Sequence, residues 1–210
     1  MERIAFRKLR DEMVKNDLSP YIKDERVLRA FREVPREKFI DPLLQSKAYL
    51  NQPLPIAYGQ MISQPYVVAL MCEILHTEKE DKILDIGTGS GYQAAILSRL
   101  CKEVISIERI PQLAVNAKNI LKKLRYKNIQ IVTGDGCDGY AKEAPYDKII
   151  SAAATRDIPS EWLKQLKDGG ILVYPKYING TQVLVSVRKS HRSFIHDYHD
   201  YVYFVPLIKG

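Results

Sequence analysis

Four residues suggest chemistry by their types and spacing, an acid followed by three alternating glycines: Asp85, Gly87, Gly89 and Gly91. An apolar run precedes the acid, and apolar residues at helical spacing follow the last glycine, which predicts a strand, a tight loop and a helix. Glycines permit positive φ angles and let a ligand approach the backbone without meeting a Cβ atom. A carboxylate at the end of the strand repels phosphate and attracts an ammonium group. The loop therefore suits a nucleotide-like ligand that carries a cationic end.

The same loop has a second interpretation, a dinucleotide site. Residues 89–94 read Gly-Ser-Gly-Tyr-Gln-Ala, which formally fits the dinucleotide fingerprint, and Glu108 follows at the spacing of a ribose-binding acid. A nicotinamide-dependent oxidoreductase is therefore an alternative function. Asp85 weighs against it, because a pyrophosphate would have to pass its carboxylate. S-adenosylmethionine, with its ammonium-bearing amino-acid end and its adenosine end, fits the loop better.

Strands and helices alternate over residues 81–175, which predicts a parallel sheet with helices packed against it. The second strand of this series ends in Glu108, and the third ends near Asp135. Because open α/β sheets bind ligands at the carboxyl ends of their strands, we expect both acids beside the glycine loop.

The two ends of the chain have different patterns. The first 32 residues predict two amphipathic helices with a break at Leu18-Ser19-Pro20. Asn179-Gly180 predicts a hairpin, and a strand near residues 200–205 is expected to close the sheet antiparallel. We divide the single domain into residues 1–80, a helical cap with a substrate loop, and residues 81–210, the cofactor-binding core.

The motif Asp-x-Gly-x-Gly-x-Gly and the acids that follow it resemble the class I S-adenosylmethionine-dependent methyltransferases. The resemblance implies an α/β, Rossmann-like fold with a mostly parallel seven-stranded sheet, an antiparallel last strand and an N-terminal helical cap. It also implies that Glu108 bonds both ribose hydroxyls, that Asp135 reaches the adenine amino group, and that S-adenosylhomocysteine is the product. The cofactor-binding residues it implies are Asp85, Gly87, Thr88, Gly89, Gly91, Glu108, Arg109, Asp135 and Gly136.

The sequence before the first strand narrows the family. Residues 34–40 read Val-Pro-Arg-Glu-Lys-Phe-Ile, and residues 59–65 read Gly-Gln-Met-Ile-Ser-Gln-Pro. With Phe204-Val205-Pro206-Leu207 near the end, these blocks closely resemble the protein-L-isoaspartate (D-aspartate) O-methyltransferase family. The resemblance implies methyl transfer from S-adenosylmethionine to the α-carboxylate of isoaspartyl residues in damaged proteins and peptides, which initiates their repair. The substrate-binding residues it implies are Ile62, Ser63, Gln64, Val205 and Leu207.

Ser63 is the residue expected to be catalytic. Its hydroxyl is expected to bond the substrate carboxylate and aim it at the methyl group. The transfer needs no general base, because a carboxylate with an ordinary pKa of about 4 is already ionised near neutral pH. The alternative is that Ser63 only caps the helix that Pro65 favours at its first turn.

A net charge of +7 suggests an RNA or DNA methyltransferase as the main alternative. The fourth strand, however, ends in Ser151-Ala152-Ala153-Ala154-Thr155, without the Asn/Asp-Pro-Pro-aromatic sequence that resembles base-amino methyltransferases. The lysines are also spread along amphipathic segments and form no single tract. We therefore expect isoaspartyl proteins and peptides as partners, and no nucleic acid.

Composition indicates the remaining properties. No stretch is apolar enough to cross a bilayer, and the first residues lack the apolar centre of a signal peptide, so we expect a cytoplasmic protein without a membrane partner. Three scattered cysteines predict neither disulfides nor a metal site. The histidines and aspartates of residues 191–200 match no known ligand spacing and are interpreted as a polar hairpin tip. We expect no bound metal and a monomer.

Overall fold

A computed structural model describes residues 2–191 and 193–209 of the chain. Within them, the helices are α1 (Glu2–Met13), α2 (Glu25–Glu33), α3 (Pro65–Leu75), α4 (Tyr92–Leu97), α5 (Pro111–Lys123) and α6 (Ser160–Gln165). The strands are β1 (Leu54–Pro55), β2 (Met61–Ile62), β3 (Lys82–Ile86), β4 (Glu103–Glu108), β5 (Ile129–Thr133), β6 (Tyr146–Ser151), β7 (Leu166–Ile178), β8 (Thr181–Ser190) and β9 (Ser193–Tyr201).

Seven strands form one sheet in the order β5-β4-β3-β6-β7-β8-β9, and its first five members pair in parallel. The chain crosses from β3 outward to β4 and β5, and then returns to place β6 on the other side of β3. Ligands of open α/β sheets bind at such a reversal, outside the carboxyl ends of the strands. The mostly parallel seven-stranded sheet expected from the resemblance is confirmed, and the glycine loop leaves β3 at the reversal.

β8 pairs antiparallel with β7, and the last strand, β9, pairs antiparallel with β8. Asn179 and Gly180 both have positive φ, 48° and 84°, as the predicted hairpin requires. The prediction of a strand near residues 200–205 is wrong: β9 ends at Tyr201. The segment expected to be a hairpin tip is mostly this strand. Every residue of β9 is exposed, so its sequence lacks the apolar alternation by which a half-buried strand is recognised.

The N-terminal helices lie on one face of the sheet. One turn of π-helix, Val14–Leu18, extends α1 to the predicted break, and Asp24 caps α2 by accepting a hydrogen bond from the Arg26 N–H at 2.8 Å. A continuous hydrophobic core joins these helices to the sheet, and it includes Phe31 of α2, Leu75 of α3 and Val104 of β4. Shared burial therefore fixes the helical cap against one face of the sheet.

Candidate active site

The loop between β3 and α4 has the backbone that its glycines predict. Gly87, Gly89 and Gly91 have φ angles of 92°, 53° and 87°, a region that glycine adopts readily. The N–H groups of Gly87 and Thr88 donate to the Ile107 carbonyl at 2.9 and 3.2 Å, which ties the loop to β4. The loop thus presents backbone rather than side chains to the space above the sheet.

Glu108 ends β4 and holds the loop from the other side. Its carboxylate accepts hydrogen bonds from the Gly89 N–H at 2.8 Å and the Ile110 N–H at 2.9 Å. A carboxylate has about four acceptor positions, so two remain for a ligand. Glu108 also lines the adjacent cavity, where these positions suit the paired hydroxyls of a ribose.

Gly136 forms another part of the cavity wall. A Cβ atom at this position would lie 2.8 Å from Ile86 Cγ2 and 3.4 Å from Leu207 Cδ1. The Trp162 indole N–H donates to the Gly136 carbonyl at 2.7 Å and fixes this turn. Only glycine leaves room here, because two chain segments and the cavity meet at one point.

These residues line a cavity beside the glycine loop. It takes in Gly87, Gly89, Glu108, Arg109, Gly136, Val205 and Leu207 of the predicted site residues. Two glycines that lack Cβ atoms, a carboxylate with spare acceptor positions and apolar walls such as Ile107 and Ile110 fit an adenosine carrying an amino-acid end. The groups that line the cavity therefore fit S-adenosylmethionine.

Asp85 does not face this cavity, contrary to the expectation that it attracts an ammonium group directly. Its side chain is fully buried beneath the loop, where its carboxylate accepts hydrogen bonds from Gln93 Nε2 at 2.8 Å and Ser106 Oγ at 2.7 Å. Burial, opposed by these two hydrogen bonds, raises the pKa of Asp85 to about 6. We assign Asp85 the role of organising the residues below the loop.

Three other predicted cofactor residues, Thr88, Gly91 and Asp135, are not among the residues that line this cavity. The Ser106 hydroxyl proton goes to Asp85, so the Thr88 hydroxyl, 2.6 Å away, donates to Ser106 and extends the same network. Gly91 is packed against α5, where a Cβ atom would lie 3.2 Å from that of Ala117. Asp135 accepts a hydrogen bond from the Cys137 N–H at 2.7 Å and so shapes the turn at Gly136.

Ser63 occupies the passage between two further spaces. A cleft beside the glycine loop is lined by Ile62, Ser63 and Thr88. An outer groove is lined by Ser63, Gln64 and Val205. Met61 and Ala152 border the cavity, the cleft and the groove alike, so the three spaces adjoin one another.

The capping interpretation of Ser63 is wrong. The residue at the N-cap of α3 is Gln64, which makes no side-chain cap, and Pro65 occupies the first turn. The Tyr66 N–H donates instead to Asn51 Oδ1 at 3.0 Å. The Ser63 hydroxyl is therefore not needed by the helix, and it is partly exposed toward the cleft and the groove.

The last described residues form one wall of both the cavity and the groove. The Ala154 N–H donates to the Val205 carbonyl at 2.8 Å, and the Leu207 N–H donates to the Ala154 carbonyl at 2.7 Å. The Gln182 side chain holds the same segment, since its amide donates to the Phe204 carbonyl at 2.9 Å and accepts from the Phe204 N–H at 2.7 Å. These bonds position Val205 and Leu207 over the end of β6.

Sequence reasoning missed several residues that shape the site. Ser106 could have been recognised from the sequence, because it is a polar residue inside an apolar strand. Gln93, to which no role in the site was assigned, is a hydrogen-bond partner of Asp85. Arg36 bonds the Ser63 carbonyl 27 residues away, and Gln182 bonds the Phe204 carbonyl 22 residues away. No local sequence pattern predicts contacts at such separations.

The described part of the chain lacks two kinds of feature. Within residues 2–191 and 193–209, no helix combines the length and the apolar character that a membrane crossing needs. The same residues contain no group of three or more His, Cys, Asp or Glu side chains arranged to hold a metal ion.

Comparison with known proteins agrees with this geometry. A sequence model of the protein-L-isoaspartate(D-aspartate) O-methyltransferase family matches residues 8–210. Protein-L-isoaspartate O-methyltransferase 2 of Shewanella sediminis is 53% identical over 171 residues, which cover 81% of this chain and 70% of that protein. Protein-L-isoaspartate O-methyltransferase 1 of Syntrophobacter fumaroxidans is 48% identical over 206 residues, which cover 98% of this chain and 96% of that protein.

Solved structures give the same result. One named protein-L-isoaspartate O-methyltransferase aligns with a TM-score of 0.85 at 28% identity; the alignment covers 95% of this chain and 65% of that one. A Plasmodium falciparum structure assigned to the same enzyme, in complex with S-adenosyl-L-homocysteine, aligns with a TM-score of 0.83. At 24% identity, with 96% of this chain and 99% of that chain covered, the second likeness shows the fold.

Proposed function

This chain belongs to the protein-L-isoaspartate(D-aspartate) O-methyltransferase family, and from that premise we propose that it methylates the α-carboxylate of isoaspartyl residues in damaged proteins and peptides. The methyl group comes from S-adenosylmethionine, and the methyl ester that forms initiates repair. The observation that carries the proposal is the position of Ser63, between the cleft beside the glycine loop and the outer groove. A carboxylate that enters from the groove meets this hydroxyl on its way to the loop.

The cofactor would be held mainly by backbone and by one carboxylate. Gly87 and Gly89 let it approach the main chain, and Glu108 offers two free acceptor positions to the ribose. Arg109 and Gly136 complete the walls. Asp85 and Thr88 act from beneath, because their network fixes the loop to β4 through Ser106.

The chemistry asks the protein for position rather than for proton transfer. S-adenosylmethionine supplies a methyl group on a positively charged sulfur and leaves a neutral thioether. The substrate carboxylate has an ordinary pKa of about 4 and is already the nucleophile at neutral pH. Holding reactants in line is worth roughly 7–11 kcal/mol. We assign Ser63 a hydrogen bond to the carboxylate, worth about 1.5–3 kcal/mol because the acceptor is charged.

The outer groove suits a polypeptide more than a rigid small molecule. It is open to the surface, and residues 201–205 form part of its lining. An isoaspartyl residue adds a methylene to the main chain and frees an α-carboxylate, so flanking backbone must be held while that group reaches Ser63. We assign substrate binding mainly to residues 1–80 and cofactor binding mainly to residues 81–210.

The remaining properties are part of the same proposal. We assign the protein to the cytoplasm, because Cys72 and Cys101 are buried thiols, unpaired as in a reducing compartment. Its partners are isoaspartyl proteins and peptides, which it meets as a monomer, without nucleic acid or membrane.

Methyl transfer from labelled cofactor tests the function and the role of Ser63 together. We expect incorporation into an isoaspartyl peptide, and none into its aspartyl counterpart or into total RNA. In Ser63→Ala, the loss of about 1.5–3 kcal/mol lowers kcat roughly 10- to 150-fold, while the Kd for S-adenosylhomocysteine stays within twofold. The control is Ser160→Ala at the start of α6, away from the cavity, the cleft and the groove. We expect it to leave kcat and this Kd unchanged.

Two results would contradict these assignments. Incorporation into RNA but not into peptide would reject the function. An equal loss of cofactor affinity and turnover in Ser63→Ala would reject the orienting role of its hydroxyl.

A further inference from the structure

Arg36 is a fully buried cation that touches the candidate catalytic segment from behind. Its guanidinium donates to the Ser63 carbonyl at 2.7 Å and to the Gln52 carbonyl at 3.1 Å. Its Cζ also lies 5.1 Å from the centre of the Tyr92 ring. Tyr92 begins α4 directly after the glycine loop. Arg36 therefore joins the substrate loop to the element that carries the cofactor loop.

The charge of Arg36 is left without an anion. Among residues 2–191 and 193–209, no carboxylate forms an ion pair with it, and its Nε has no hydrogen-bond partner. Burial lowers the pKa of the Arg36 guanidinium, but arginine remains protonated in proteins. An unpaired buried charge is costly, and two carbonyl dipoles and an aromatic face compensate it only in part.

The bond from Arg36 also sets the direction of a peptide group. In a planar trans peptide, the carbonyl and the N–H point in opposite directions. Because the Ser63 carbonyl points inward to Arg36, the N–H of Gln64 points away from the guanidinium. In the described part of the chain, that N–H has no hydrogen-bond acceptor. Gln64 and Ser63 both line the outer groove.

We propose that Arg36 is a positioning residue for the transfer reaction. Its fork holds the Ser63–Gln64 peptide so that the Gln64 N–H and the Ser63 hydroxyl converge on the substrate carboxylate. Its unpaired charge makes this place selective for an anion, which balances the charge when it binds. The inference rests on the proposed function, since it assigns the anion to the isoaspartyl α-carboxylate.

A pair of peptides separates this role from a structural one. One carries the isoaspartyl α-carboxylate, and the other carries a neutral α-carboxamide of nearly the same shape. Their Kd values are measured by calorimetry on the enzyme saturated with S-adenosylhomocysteine. In Arg36→Met, we expect the carboxylate peptide to bind at least tenfold more weakly, equivalent to about 1.4 kcal/mol, and the carboxamide peptide to change less than twofold.

Further variants complete the design. Arg26→Met removes an arginine of α2 that is paired with Asp24, so it disturbs the same cap without contacting Ser63. We expect it to leave both Kd values unchanged. Arg36→Lys keeps the cation but cannot hold two carbonyls in a fork. We expect it to retain the preference for the carboxylate within threefold of wild type while kcat falls. Arg36→Gln, which removes the charge but keeps hydrogen-bond donors, replaces Arg36→Met if that variant does not fold, and the same loss of preference is expected.

The possible outcomes are distinct. Equal weakening of both peptides in Arg36→Met, or an unchanged ratio, would reduce Arg36 to a structural residue and overturn the proposal. Loss of the preference in Arg36→Lys would overturn it as well. Failure of the wild-type enzyme to methylate the isoaspartyl peptide would instead refute the proposed function, which is tested first.

Discussion

Replacing Glu108 with glutamine removes one charge and keeps the shape of the side chain. In the wild type, the two carboxylate oxygens accept from the Gly89 and Ile110 N–H groups at 2.8 and 2.9 Å. Glutamine offers one acceptor oxygen and one NH₂ donor, so one of these N–H groups loses its acceptor. The substitution therefore acts on the loop and on the cofactor site at once.

The two effects have different magnitudes. A buried donor without an acceptor costs about 1–3 kcal/mol, and each kcal/mol lowers the Tm of a domain of this size by about 2–4 °C. Hydrogen bonds to a charged acceptor are about 1 kcal/mol stronger than neutral ones. Two ribose hydroxyls bonded to Glu108 would therefore lose about 2 kcal/mol, which weakens the cofactor roughly 30-fold.

Calorimetry with S-adenosylhomocysteine and a thermal unfolding scan measure both effects in Glu108→Gln. The matched control is Glu103→Gln, which removes the same charge at the opposite end of β4. We expect the control to leave the Kd for S-adenosylhomocysteine within twofold. A Kd for Glu108→Gln within threefold of wild type, together with a lowered Tm, would show that Glu108 serves only the loop and would refute its assignment to the ribose.

Two further predictions concern residues that act from behind the site. The pKa of Asp85, raised from 3.8 to about 6, means that the folded protein binds this proton more tightly than the unfolded chain. The resulting stability is present below pH 3.8 and is lost as the pH rises through about 6, by about 3 kcal/mol. In urea unfolding, the stability of Asp85→Asn relative to wild type should rise by about 2 kcal/mol between pH 4 and pH 7.5; a constant difference between the two proteins would contradict the raised pKa of Asp85. Gln182→Met leaves the N–H and the carbonyl of Phe204 without partners, so amide exchange at Phe204 and Leu207 should accelerate at least tenfold. Gln130→Met, at an exposed position of β5, is the control, and unchanged exchange in Gln182→Met would show that Ala154 alone holds the segment.

Much of the fold could be predicted because its signals are local. The apolar runs of β3, β4 and β6, the glycine loop after β3 and the Asn-Gly hairpin each follow from residues close together in sequence. The last strand could not be predicted in the same way. Residues 202–207 are rich in apolar and aromatic side chains, but they form an irregular segment because Gln182 and Ala154 bind their backbone from elsewhere in the chain.

By itself, the sequence determined most elements of the parallel part of the sheet and the acids and glycines at its strand ends, because hydrophobic period and backbone freedom are properties of short segments. Only the tertiary structure decided where the side chains point. Asp85 lies beneath the loop because Ser106 and Gln93 offer it donors there. Arg36 reaches Ser63 across 27 residues because the cap folds over the sheet. Such contacts depend on how elements distant in sequence pack together, and the residue pattern of a single element does not predict that packing.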